Sequence, residues 1–170
     1  MKILIQNGDL VLPDGIKKGD LLIEDGKISA LGASPERCGD ARVVDATGLL
    51  VSPGLIDLHS HLREPGFEYK ETIATGTRSA AKGGFTSVCC MANTKPVNDT
   101  AAVTELIKLK AEREGVVRVY PIGAATKGMK GEELTEMGEL KESGAVAVSD
   151  DGKSIAAGCR YMSDVQTRAN

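Results

Sequence analysis

Beyond Ser52-Pro53-Gly54 the chain alternates short apolar runs with amphipathic ones, and this rhythm constrains the fold more than any other feature. Residues 55–58, 85–91, 116–122 and 145–148 read as strands, at a spacing of roughly thirty residues. Residues 69–82, 100–114 and 132–142 read as the helices between them, stopped by Gly83-Gly84, Gly115 and Ser143-Gly144. A fourth helix is expected to begin near Ala156. Strands joined through a helix run parallel, because a crossover returns the chain to its starting edge. No glycine-rich phosphate loop follows the first strand, and no convincing Gly-x-Gly-x-x-Gly is present. The pattern therefore predicts part of a (β/α) barrel rather than a nucleotide-binding doubly wound sheet.

The first fifty residues have a different rhythm. Short strand-like runs at 1–5, 10–12, 20–23, 28–31, 42–45 and 49–51 are separated by Asn7-Gly8-Asp9, Pro13-Asp14-Gly15, Asp25-Gly26 and Thr47-Gly48. This is strand-and-turn chemistry, and it predicts a small β unit. About fifty residues bury little core, so the unit is marginal by itself. The expected organisation is a β segment over residues 1–53 and four βα units over residues 54–170.

Composition narrows the function classes. A formal net charge of -3 offers no global attraction to nucleic acid or to an anionic membrane. The longest unbroken apolar run, Val88 to Ala92, is five residues, against about 20 for a membrane span. Cys38, Cys89, Cys90 and Cys159 form no Cys-x-x-Cys pair, and four are too few for a disulfide scaffold. The expectation is a soluble cytoplasmic protein, with no nucleic-acid or membrane partner.

In parallel α/β folds, reactive groups collect beyond the carboxyl ends of the strands. The chain's two histidines, His59 and His61, both fall at the end of the first barrel strand. At i and i+2 on extended chain their rings share a face, and neutral imidazole is a common ligand of zinc and similar ions. Asp57, two residues earlier, could face the same metal. Asn93 follows the second strand and either orients a substrate or caps a turn. Ser149-Asp150-Asp151-Gly152 follows the fourth and offers two carboxylates, or simply a turn. Arg63 lies two residues past His61, where a guanidinium suits a substrate carboxylate, or pairs with Glu64 or Glu68. Each cluster has a plain structural alternative; their convergence on one mouth favours chemistry.

The run Gly54-Leu55-Ile56-Asp57-Leu58-His59-Ser60-His61-Leu62-Arg63-Glu64-Pro65-Gly66 resembles the amidohydrolase superfamily, and the bacterial dihydroorotases in particular. The likeness continues through Lys70-Glu71-Thr72-Ile73, Gly83-Gly84-Phe85-Thr86, Met91-Ala92-Asn93-Thr94-Lys95-Pro96 and Ser149-Asp150-Asp151-Gly152. It spans nearly the whole chain. The His-x-His-x-x-Glu-Pro-Gly run is shared with allantoinases; its combination with Arg63, Asn93 and Asp-Asp-Gly is more specific. One departure is Ala92, where the family usually carries proline.

The resemblance implies a small β segment followed by roughly the first half of a metal-dependent (β/α)8 barrel. It implies His59, His61 and Asp151 as ligands of one or two Zn2+ ions, and His61, Arg63 and Asn93 as substrate contacts. Allantoinases and hydantoinases generally place a carbamylated lysine where Asp151 falls. The implied reaction is the zinc-dependent, reversible hydrolysis of the cyclic amide of (S)-dihydroorotate to N-carbamoyl-L-aspartate, in pyrimidine biosynthesis, by an enzyme that in full-length form is a homo-oligomer. The family takes two further histidine ligands and an aspartate general acid/base from later strands. No catalytic acid/base is therefore assigned within these residues; it is expected beyond Asn170. A barrel alone takes about 250 residues, so the expectation is an N-terminal portion that, by itself, binds zinc weakly, turns nothing over and self-associates. Two alternatives are an allantoinase- or hydantoinase-type cyclic amidohydrolase and a non-catalytic dihydroorotase-like partner protein.

Overall fold

The structure is a computed structural model that describes residues 1–32 and 38–155. Contacts divide the chain into two units, Met1–Pro53 and a second that begins at Gly54. The helix expected near Ala156, Cys159 and the last residue, Asn170, lie outside the described residues. The fourth βα unit, expected to run to Asn170, is therefore described only as far as its strand and the loop after it.

The first unit is a mixed sheet of β1 (Lys2–Leu12), β2 (Gly15–Glu24), β3 (Lys27–Leu31), β4 (Arg42–Asp45) and β5 (Leu50–Val51). Strands β3, β2 and β1 pair antiparallel, and β4 and β5 both pair parallel to β1. Sequence predicts a turn at Asn7-Gly8-Asp9, but the chain passes straight through as one strand. Asn7 adopts a left-handed φ of 61° and its N–H is taken by Asp20 Oδ1 at 2.8 Å, so the turn residues make a bulge with a register shift between Ile5 and Gly8. The hairpin expected at Asp25-Gly26 is present, with φ of 49° and 76° at its two central residues. Leu4, Leu22 and Cys38 form its small core.

The second unit holds β6 (Leu55–Ser60), α1 (Ile73–Lys82), β7 (Phe85–Cys90), α2 (Ala101–Glu114), β8 (Arg118–Gly123), α3 (Met137–Ser143) and β9 (Ala147–Val148). The four strands lie in sequence order and every adjacent pair is parallel. Strand β7 is covered on both faces. Val88 and Cys90 join Leu62, Ile73, Val103 and Ile107 in one apolar cluster, while the alternate residues Cys89 and Met91 pack with Ile122. Each fully buried apolar side chain in such a cluster contributes about 1.5–3 kcal/mol. At the sheet's edges among the described residues, Leu55, Ile56 and Leu58 of β6 and Val148 of β9 are exposed.

Helix boundaries follow local chemistry. α1 starts four residues later than periodicity suggests, because Thr72 caps it: Thr72 Oγ1 accepts from Thr75 N, and Thr75 Oγ1 in turn accepts from the Thr72 N–H. The stretch 132–136, expected as the start of α3, instead folds back on a short 3-10 turn at Lys127–Met129. Thr126 and Leu134 form a bridge there, Lys127 N donates to Glu133 O, and Thr135 N donates to Ala125 O. Those contacts use backbone groups that a helix would need for itself.

Candidate metal centre

Three side chains from opposite edges of the parallel sheet meet beyond its carboxyl end. His59 is in β6, His61 is just past it, and Asp151 follows β9. Their ligand atoms lie within 4.8 Å of one another. Asp151 Oδ1 is 3.3 Å from His59 Nε2, and its Oδ2 is 3.5 Å from His61 Nε2. The two rings stand edge to face, 5.2 Å between centroids. Metal bonds of about 2.0–2.1 Å at tetrahedral angles space neighbouring ligand atoms about 3.3–3.4 Å apart. The two histidine–carboxylate distances are close to that spacing, and two imidazole nitrogens with one carboxylate are a donor set suited to a small divalent cation.

Asn93, at the end of β7, is turned toward this group. His61 Nδ1 lies 3.1 Å from Asn93 Oδ1. An amide oxygen only accepts, so this contact places the proton on Nδ1 and leaves the Nε2 lone pair facing Asp151 and a metal. Among the described residues this is the one hydrogen bond the Asn93 side chain makes. Asp57 is different: its Oδ1 accepts from the His59 backbone N–H at 2.9 Å, and it stands outside the ligand group.

Asp150 is the residue whose part sequence leaves open, and it is among the best-anchored side chains of the region. Buried at 4% exposure, its carboxylate accepts from Ala125 N at 2.8 Å, from Thr126 N at 3.0 Å and from the Thr126 hydroxyl. It therefore ties the end of β9 to the loop after β8, while Asp151, the next residue, sits with the histidines. The Asp-Asp pair divides into one inward anchor and one candidate ligand. Its spacing at a strand end is the only sequence signal for that division.

Arg63 is half-buried with a φ of 62°. Both acids expected as its local partners are committed elsewhere: Glu64 pairs with Lys110, and Glu68 Oε1 accepts from the Gly66 N–H at 2.9 Å. The Arg63 guanidinium makes no ion pair among the described residues. Its loop is stitched to the Asn93 loop, since Lys95 N donates to Pro65 O at 2.9 Å. Gly66, at a φ of 96°, packs so closely that a Cβ would lie 2.0 Å from Lys95 O. Ala92, where a proline is usual in the resembling family, is fully buried against Ala124 and Met129. The acid/base expected beyond Asn170 has no counterpart to place, because the described residues end at Ile155.

The profile of the dihydro-orotase-like family matches residues 48–170. The chain belongs to that family. It is 57% identical over 159 residues to a dihydroorotase of Geobacter sulfurreducens, covering 92% of this chain and 37% of the relative. It is 59% identical over 157 residues to one of Pelotomaculum thermopropionicum, covering 91% and 36%. The chain thus spans little more than a third of the length of the curated relatives it matches. Among solved structures it resembles the L-hydantoinase (dihydropyrimidinase) of Arthrobacter aurescens, with a TM-score of 0.76 at 28% identity over 86% of this chain and 32% of that one. A D-hydantoinase of Thermus sp. gives 0.66 at 31% identity, over 82% and 30%. The parallel unit is thus family architecture, and no helix among the described residues is long and apolar enough to cross a membrane.

Proposed function

We propose that this chain carries the metal-binding and carboxylate-binding portion of a dihydroorotase, built on the first half of a (β/α)8 barrel. The exposed apolar edges at β6 and β9 are surfaces that closure of such a barrel covers. The reaction is the reversible hydrolysis of (S)-dihydroorotate. Water adds across the cyclic amide, the carbon–nitrogen bond breaks, and the nitrogen takes the proton, giving N-carbamoyl-L-aspartate. The observation that carries this reading is Asp151, placed 3.3 and 3.5 Å from the two histidines. A carboxylate in that position suits a dihydroorotase better than a hydantoinase, whose ligand there is generally a carbamylated lysine.

His59, His61 and Asp151 hold the metal, which we take to be zinc. Bound there, zinc supplies Lewis acidity toward the amide carbonyl and lowers the pKa of water to about 7. The chain's own residues do the rest of the binding. Asn93 holds His61 in the tautomer that leaves Nε2 free. Arg63, without a carboxylate partner among the described residues, is available for a bidentate pair with the carboxylate of the substrate, and Asn93 adds a hydrogen bond. Among these residues we assign no general acid/base. The substrate is a small molecule, the compartment the cytoplasm, and the assembled enzyme a homo-oligomer.

The likeness to hydantoinases supports a second reading, a hydantoin- or allantoin-opening enzyme. Rates on dihydroorotate, hydantoin and allantoin, measured on the natural gene product with zinc, separate the two. Dihydroorotate is expected to be opened at least about 100-fold more efficiently by kcat/KM. A preference for hydantoin or allantoin would overturn the proposal.

A further inference from the structure

The loop that follows His61 contains one strained residue, and the side chain beside it is unusually well buried. Glu64 N donates to Leu62 O at 2.7 Å, closing a three-residue turn with Arg63 at its apex. Arg63 has a φ of 62°, a left-handed conformation that is rare and costly in γ-turns for a side-chain-bearing residue. Such a residue persists only where its surroundings over-determine it. Leu62 on one flank is 5% exposed, and Glu64 on the other is 4% exposed.

Glu64 is held at both carboxylate oxygens. Oε2 accepts from Ile73 N, the first residue of α1, at 2.8 Å. Oε1 receives the ammonium of Lys110, which comes from α2, forty-six residues away. The hydrogen bond to Glu64 also raises the Lys110 pKa above its ordinary value, which keeps the ammonium charged at any physiological pH.

We propose that Glu64 and Lys110 are positioning residues: the pair locks the turn at Arg63 and so sets where the guanidinium meets the substrate carboxylate. This rests on the assignment of Arg63 to that carboxylate. Lys110 lies on the helix that packs behind β8 and contributes nothing to the ligand group; its direct bond to the Arg63 loop is the one to Glu64. Removing the ammonium leaves a buried carboxylate without its cation, which weakens its hold on Ile73 N and on the turn.

The test uses Lys110→Met, Lys110→Arg and Arg63→Met in the natural gene product. Steady-state kinetics on dihydroorotate are combined with amide hydrogen exchange at Glu64 and Ile73. For Lys110→Met, KM is expected to rise about tenfold or more with kcat within about threefold, as exchange at both amides speeds about tenfold. Lys110→Arg should keep all three values near the parent's. Unchanged KM and exchange in Lys110→Met, while Arg63→Met raises KM, would overturn the proposal alone. Arg63→Met without effect on KM would instead remove the carboxylate assignment, and with it the functional part of the proposal; the exchange rates then decide whether the pair holds the turn.

Discussion

Asn93 Oδ1 and His61 Nδ1 meet at 3.1 Å, so the end of β7 fixes the tautomer of a histidine at the end of β6. In the site we propose, Asn93 would both orient a ligand histidine and contact the substrate. Replacing Asn93 with alanine frees the ring to rotate and to move its proton. Metal affinity, measured by competition with a chromophoric chelator, should fall about 10–100-fold, the usual range for loss of such a partner. Unaltered affinity would leave Asn93 a substrate contact only.

Asp150→Ala is expected to be costly in a different way. It orphans the buried N–H groups of Ala125 and Thr126 and removes the acceptor of the Thr126 hydroxyl, which still accepts from Gly131 N. Each unsatisfied group costs about 1–3 kcal/mol, so urea unfolding should show a loss of about 2–5 kcal/mol. Metal affinity should drop in the same variant, because Asp151 follows directly on the chain. Retained stability would show that water replaces the carboxylate.

Gly66→Ala tests the seam between the Arg63 and Asn93 loops. A methyl group at a φ of 96° and 2.0 Å from Lys95 O forces the two loops apart. Strain and overpacking together predict a loss of about 2–5 kcal/mol in unfolding experiments, with KM raised. A variant as stable as the parent would mean the loops separate freely.

Much of this arrangement was legible in the sequence. Apolar runs separated by amphipathic helices led to the parallel order of β6 to β9, and polar residues at strand ends led to His59, His61, Asn93 and Asp151. Periodicity failed where side chains competed for the backbone. Thr72 and Thr75 moved the start of α1, and the folding of Lys127 and Thr135 onto their neighbours shortened α3. Asn7 made a bulge of an expected turn because Asp20, on the neighbouring strand, captured its N–H. The Glu64–Lys110 pair had no local signal, since its partners are brought together only by the packing of α2 beside the loop after β6.

Burial also predicts thiol behaviour. Cys90 is pushed up to about 12 by desolvation, and Cys89 is raised by the same cause. A raised pKa depletes the thiolate, which is the reactive form. Iodoacetamide at about pH 8 should therefore leave both unmodified in the native protein and alkylate both in denaturant. Native-state labelling of Cys90, read by peptide mass mapping, would show that β7 opens locally.

The most direct test of the account is a zinc titration of the parent beside His59→Ala, His61→Ala and Asp151→Ala. The account predicts one saturable site class in the parent, weakened about 100-fold or more in each variant, with the fold retained by circular dichroism. Zinc binding of parental strength in all three variants would contradict it.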